Sequence, residues 1–179
     1  MGCYLSGQGA VEAMKREAVA AIIDGLKNAG VDFVAYLPDS LSAPLFEAVR
    51  KEPSFEVVPV SNESIGVSAC VGAWFGGKVP AAVIPTCGLM ASVLHLTTVC
   101  RLWGVPILLV IPYRGDVGDA QPQFWVYTLT IEPILRDLQI PYKIAGKMED
   151  VKPAIKAAVT SGRSWLKTTA VLLTGEVLG

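Results

Sequence analysis

Short runs of consecutive apolar residues alternate along this chain with amphipathic stretches, the pattern of βαβ units. A helix is predicted from about Gly9 to Ala29, closed by Gly30 as a C-cap residue. Asp32 to Leu37 then reads as a strand broken by Pro38. Ser40 or Ser42 can cap a helix running to Arg50, and Glu56 to Val60 reads as the second strand. Ser61 is placed to cap a helix from Asn62 to Phe75, which stops at Gly76-Gly77. Pro80 to Ile84 is a third strand, Gly88 to Trp103 a helix, and Val105 to Ile111 a fourth strand. These strands are continuously apolar rather than alternating, which predicts burial on both faces and hence a parallel sheet covered by helices.

The segment Tyr113 to Tyr127 (YRGDVGDAQPQFWVY) breaks the rhythm. It has no clear periodicity and is rich in Gly, Asp, Pro and Gln, and long ordered loops of this kind are often functional. A helix at Thr128 to Leu138, a strand at Tyr142 to Ile144, a helix from Asp150 to Ser161 and a strand near Ala170 to Leu173 complete the expected fold. The expectation is a three-layer, doubly wound α/β domain spanning residues 1–179, with a six-stranded parallel sheet and helices on both faces. Ligands of such sheets sit at the carboxyl ends of the strands. That directs attention to Pro38-Asp39-Ser40, Ser61-Asn62-Glu63, Pro85-Thr86-Cys87-Gly88 and Tyr113-Arg114-Gly115-Asp116.

Composition adds a partner. The chain has 179 residues, of which 52% are hydrophobic and 17% charged, against about 25% charged in an average soluble protein. A domain of this size rarely hides that much apolar surface alone, so a large subunit interface is expected. The net charge of -1 excludes the basic footprint of a nucleic-acid binder. No apolar run reaches the roughly 18 residues of a membrane span. The amino terminus lacks the basic start and apolar stretch of a signal peptide. Met1-Gly2-Cys3 with Ser6 formally matches a myristoylation motif, but nothing else in the chain is membrane-like. Cys3, Cys70, Cys87 and Cys100 show no metal-ligand spacing and read as reduced residues of a cytoplasmic protein. His95, the one histidine, lies between apolar neighbours and reads as a core residue.

No GxGxxG follows a strand, and neither GxxxxGK[ST] nor GxSxG occurs. Glu63 is the carboxylate to single out, because it falls in the first turn of a helix at a strand's carboxyl end. The helix dipole alone favours an acidic residue there by a few tenths of a kcal/mol. Behind it Gly66, Ala69, Ala73 and Gly76 recur at spacings of three and four, joined by Gly72. Each glycine inside a helix costs up to about 1 kcal/mol relative to alanine. Such a stripe implies close packing by a partner helix or a flat cofactor.

The segment NESIGVSACVGAWFGGKVPAAVIPTCGLMAS resembles the pyrimidine-binding (PYR) domain of thiamine-diphosphate enzymes. LPDSLSAPLFEAV, TCGLMAS, GVPILLVIPYRGD and EPILRDLQIPYKI fall in the same order as in sulfopyruvate decarboxylase α subunits and phosphonopyruvate decarboxylases. The resemblance runs from about Gly30 to Ile144. It implies that Glu63 matches the family's helix-opening Glu, which hydrogen-bonds N1′ of the aminopyrimidine. The imino tautomer so stabilised takes the proton from thiazolium C2, and the cofactor then accepts the electron pair released as CO2 leaves a 2-oxo acid. By the same resemblance Pro38 belongs to a loop facing the substrate, with Asp39 or Ser40 moving protons or binding carboxylate. A helix-capping turn explains Asp39 and Ser40 equally well. Thr86, Cys87 and Gly88 match the turn beside the pyrimidine ring. Arg114, with Tyr113 before it, matches a substrate-binding position, with a simple salt bridge as the alternative for Arg114.

Two departures bear on substrate. Sulfopyruvate enzymes tend to carry His where this chain has Tyr113, and phosphonopyruvate relatives have a His near a Pro-Gln pair, where Pro122-Gln123 is followed here by Phe124. A bulkier or less anionic 2-oxo acid, or carboligation instead of simple decarboxylation, fits that change. The GDG motif and downstream Asn that hold Mg2+ and the diphosphate do not occur in the sequence. The resemblance therefore implies a hetero-oligomer in which a β subunit with the diphosphate-binding (PP) domain supplies them. A non-catalytic assembly or regulatory subunit of the same fold is the alternative.

Overall fold

The computed structural model describes residues 13–117, 119 and 121–178. The lipidation motif and the predicted helix start at Gly9 lie outside them. The chain builds helix α1 (Arg16–Asn28), strand β1 (Phe33–Tyr36), α2 (Ala43–Lys51), β2 (Glu56–Pro59), α3 (Glu63–Phe75), β3 (Pro80–Val83) and α4 (Thr86–His95). A π-helical segment, Leu96–Arg101, prolongs α4 before β4 (Leu108–Pro112). After the loop come α5 (Trp125–Thr128), α6 (Ile131–Asp137), β5 (Tyr142–Ala145), α7 (Met148–Trp165) and β6 (Thr169–Leu173).

All six strands are parallel, in the order β2-β1-β3-β4-β6-β5. Two apolar layers sandwich the sheet. On one face Ile22, Leu26, Leu45, Val49, Ile155 and Val159 from α1, α2 and α7 pack on Val34, Val83, Val110 and Val171. On the other, Val67, Cys70, Leu89, Ile131 and Leu135 from α3, α4 and α6 pack on Ala35, Ile84, Leu109 and Leu172. The expected three-layer doubly wound α/β fold is therefore present. Continuous burial holds for β1, β3, β4 and β6 but not for β2 and β5. Those two lie at the sheet edges, where fewer neighbours cover them.

Several boundaries shift for local reasons. Gly30 has φ +79, the left-handed conformation that ends α1. Asn62 rather than Ser61 caps α3, its Oδ1 accepting the Ser64 N–H at 2.9 Å. The helix predicted at Asp150–Ser161 runs from Met148 to Trp165. In the π-helical segment the hydroxyls of Thr97 and Thr98 donate to the carbonyls of Val93 and Leu94. Those bonds satisfy acceptors that the widened turn leaves without their usual amide partners.

The glycine stripe on α3 is not one face. A Cβ on Gly66 would meet Val60 and Ala35 beneath the helix, whereas one on Gly72 would meet nothing within 4 Å. Gly76 belongs to the helix end. Helical spacing put these residues in line, but the sheet below and open space above account for them separately.

Candidate functional site

Chain direction brings the candidate loops together. β1 leads into α2 on one face of the sheet, while its neighbour β3 leads into α4 on the other. The loops after β1 and β3 therefore lead to opposite faces, which makes the boundary between these two strands the topological switch point of the sheet. Glu63, the first residue of α3 after the edge strand β2, opens the helix beside α4.

Glu63 is 9% exposed. Among the described residues no hydrogen bond or ion pair reaches its carboxylate. A buried carboxyl without a partner costs free energy unless something else satisfies it. Gly88, in the first turn of α4, lies against it: a Cβ there would stand 3.0 Å from both Cδ and Oε1 of Glu63. The close approach inferred from the α3 stripe thus exists, but at Gly88.

Cys87 lies at the same helix opening and is exposed. Its thiol pKa is raised, first by partial burial and then by the negative charges of Glu63 and Asp39. Both carboxylates therefore lie within electrostatic reach of this thiol. Tyr127, from α5, packs against the apolar layer that contains Leu89 of α4.

The other candidates separate into distinct roles. Asp39 Oδ1 accepts the Ser42 N–H at 2.9 Å at the start of α2, so the capping explanation holds for that oxygen. Pro38 and Ser40 are exposed on the same turn. Thr86 is buried, its hydroxyl donating to Pro112 O at 2.6 Å and accepting the Arg114 N–H at 2.9 Å. It ties the turn after β3 to the one after β4.

Arg114, expected at a substrate-binding position, is paired within its own loop. Its Nε and Nη2 donate to Asp119 Oδ2 and Oδ1 at 2.6 and 2.9 Å, and its guanidinium lies 4.4 Å from the Phe124 ring centre. Asp119 also accepts the Gly115 and Gln121 N–H groups. The guanidinium hydrogen bond holds its carboxyl down at about 2, and these two amides help. With only 16% and 11% of its side chains exposed, this ion pair is more enclosed than the surface salt bridge that the sequence left open.

Tyr113, expected beside Arg114 at the same position, is enclosed. It is 2% exposed and packs in the core beneath α6, because the strand carries it inward at the end of β4. Burial, with Glu132 and Asp116 nearby, pushes its phenol up to about 12. His95 is half-buried rather than fully in the core, with Nδ1 unpartnered among the described residues.

Sequence reasoning missed Tyr127 and Asp119. Both lie in the aperiodic segment after β4, where no spacing marks which side chains pair with one another. A separate cleft of about 100 Å3, lined by Leu96, Arg101, Gln139, Leu166 and Lys167, opens at the opposite end of the strands and contains none of the candidates. Among the described residues no helix is long and apolar enough to cross a membrane, and no three His, Cys, Asp or Glu side chains gather into a metal cluster.

Comparison with known proteins points to one family. The family model "Thiamine pyrophosphate enzyme, N-terminal TPP binding domain" matches residues 16–111. The chain is 29% identical over 160 residues to sulfopyruvate decarboxylase subunit alpha of Methanothermobacter thermautotrophicus, covering 89% of this chain and 97% of that one. The corresponding subunit of Methanococcus maripaludis is 26% identical over 159 residues, with 87% and 93% covered. Phosphonopyruvate decarboxylase of Streptomyces viridochromogenes is 30% identical over 105 residues, which are 58% of this chain and 26% of that enzyme. Among solved structures, 2-oxoglutarate:ferredoxin oxidoreductase from Magnetococcus marinus superposes with a TM-score of 0.70 at 15% identity, covering 90% of this chain and 29% of that one. The last likeness is one of fold.

Proposed function

Because this chain belongs to the family of thiamine pyrophosphate enzyme N-terminal TPP binding domains, we propose that it is the α (PYR) subunit of a thiamine-diphosphate-dependent 2-oxoacid decarboxylase. The observation that carries this reading is Glu63, a buried carboxyl without a partner among the described residues, set at the start of α3 against Gly88 of α4. A ligand nitrogen is the kind of group that would complete its hydrogen bonding. The residues present fit the aminopyrimidine end of thiamine diphosphate, with Glu63 at its N1′ and the Pro85–Gly88 turn beside the ring. When bound, the cofactor supplies an electron sink for the pair released as CO2 leaves.

The chain's own groups do the rest. Glu63 holds or exchanges a proton with the ring nitrogen, in a site where burial keeps competing water away. Gly88 leaves room for its carboxyl, and Thr86 fixes the turn that carries Gly88. Asp39, with one oxygen free of the cap, and the exposed Ser40 face the substrate side. The diphosphate and Mg2+ belong to a β subunit carrying the PP domain. Relatives named as α subunits support that division. So does a band of exposed apolar side chains on α3, α4 and its continuation: Ile65, Phe75, Leu94, Leu102 and Trp103.

The test is co-purification with the β subunit, then calorimetry with thiamine diphosphate and Mg2+ and CO2 release from a panel of 2-oxo acids. Cofactor binding and turnover in wild type, with turnover abolished in an assembled Glu63→Gln complex, is the expected result. Wild-type turnover in that variant would overturn the reading.

A further inference from the structure

Resting on the decarboxylase reading above, we propose that the substrate is a 2-oxo acid with an uncharged, apolar side chain, and that Phe124 and Tyr127 form the wall that selects it. A sulfonate or phosphonate substrate carries a second anionic group and requires cations to receive it. The cation of the loop after β4 is already taken. Arg114 is locked to Asp119 through two hydrogen bonds, with only 16% and 11% of the two side chains exposed. Asp119 is itself anchored by the Gly115 and Gln121 amides. Its low pKa keeps it charged throughout the neutral range.

What that pair supports is apolar. Phe124 covers the Arg114 guanidinium on one side and stacks on Tyr127 with ring centres 5.8 Å apart and an interplanar angle of 27°. Tyr127 in turn packs against the apolar layer that contains Leu89 of α4, next in sequence to the glycine that touches Glu63. A continuous stack therefore runs from Arg114 through Phe124 and Tyr127 to the helix opening that carries the candidate chemistry. Trp125, Val126 and Leu129 on the same short segment are exposed at 59%, 41% and 62%. The side chain set against Gly88 at the end of the stack is itself an acidic one, Glu63. A second anion brought there meets like charge, whereas an alkyl or aromatic group meets rings.

The backbone holds the wall in place. Gly115 has φ +90, and a Cβ there would lie 2.7 Å from the Phe124 carbonyl carbon. The Thr128 hydroxyl donates to the Gly115 carbonyl, joining α5 to the same turn. Loop and helix thus move as one piece, so the rings are positioned before substrate arrives.

The experiment uses the αβ complex loaded with thiamine diphosphate and Mg2+, with phenylpyruvate, 4-methyl-2-oxopentanoate and sulfopyruvate as substrates. Binding of the unreactive 3-phenylpropionate is followed by calorimetry in parallel. The expected kcat/KM for the better apolar acid exceeds that for sulfopyruvate at least tenfold. Tyr127→Ser and Phe124→Ser should raise KM for the apolar acid and weaken 3-phenylpropionate binding severalfold, with kcat much less affected. Asp119→Asn, which releases Arg114, should move the preference toward sulfopyruvate. Preference of the wild-type complex for sulfopyruvate would overturn this inference and leave the decarboxylase reading standing. Absence of both cofactor binding and CO2 release from every acid would overturn both.

Discussion

Gly88 and Glu63 are in contact: a Cβ placed on Gly88 would lie 3.0 Å from Cδ and Oε1 of the carboxyl. The amino-terminal turns of α3 and α4 interlock there, and the position of the carboxyl depends on the missing side chain. Gly88→Ala is therefore expected to turn the Glu63 side chain out of place. Overpacking of this kind costs about 1–3 kcal/mol. The complex should still assemble, with activity reduced at least tenfold, and kinetics alongside thermal melting of the same sample check the split.

Glu63→Gln should behave differently. The carboxyl has no protein partner among the described residues, so its replacement by a near-isosteric amide breaks no internal bond. The melting temperature should stay within a few degrees of wild type. Turnover should fall by about 100-fold or more, the range of a lost proton-transfer group. A large loss of stability would instead make Glu63 a structural residue.

Asp119 gives the protein an acid-sensitive loop. Its carboxyl is held at about 2, below the roughly 3.9 of an unfolded aspartate. A depressed folded pKa means stabilisation that is fully present above about pH 4 and lost as the pH falls toward 2. Urea unfolding at pH 7 and pH 3 should show a smaller drop for Asp119→Asn than for wild type. Equal drops would remove the Arg114 pair from the account.

Thr86→Val should cost about 1–2 kcal/mol, since the Pro112 carbonyl and the Arg114 amide both lose their buried partner. Thr86→Ser, which keeps the hydroxyl, should recover most of it. Denaturant titration of the two variants decides between the hydroxyl and the methyl as the group that matters.

The parts of this protein legible in its sequence are those written in short-range pattern. Short, mainly apolar runs located the six strands, and Glu63 was singled out because a helix start after a strand is a local signal. The left-handed glycine after α1 was legible for the same reason. Contacts between loops were not. Arg114 is close to Asp119 in sequence, yet no periodicity distinguishes a guanidinium that pairs inward from one that faces a ligand. Tyr113 and Tyr127 look alike in sequence, but the end of β4 buries the first, and α5 stacks the second on Phe124. The glycine stripe on α3 misled because helical spacing records alignment and not what lies across from it.

The π-helical segment at Leu96–Arg101 has a consequence for chain length. A π turn holds one residue more than the α-helical count, so everything beyond it is rotated by about 100° relative to an uninterrupted helix. That rotation leaves Leu96 and Cys100 in the core while Leu102 and Trp103 face outward. Removing a single residue, Thr97 or Thr98, would rewind the segment to α geometry and swing Leu102 and Trp103 to a different side. The outward apolar pair thus depends on one extra residue in the spacing, and a homologue shorter by one residue here would present a different surface to its partner.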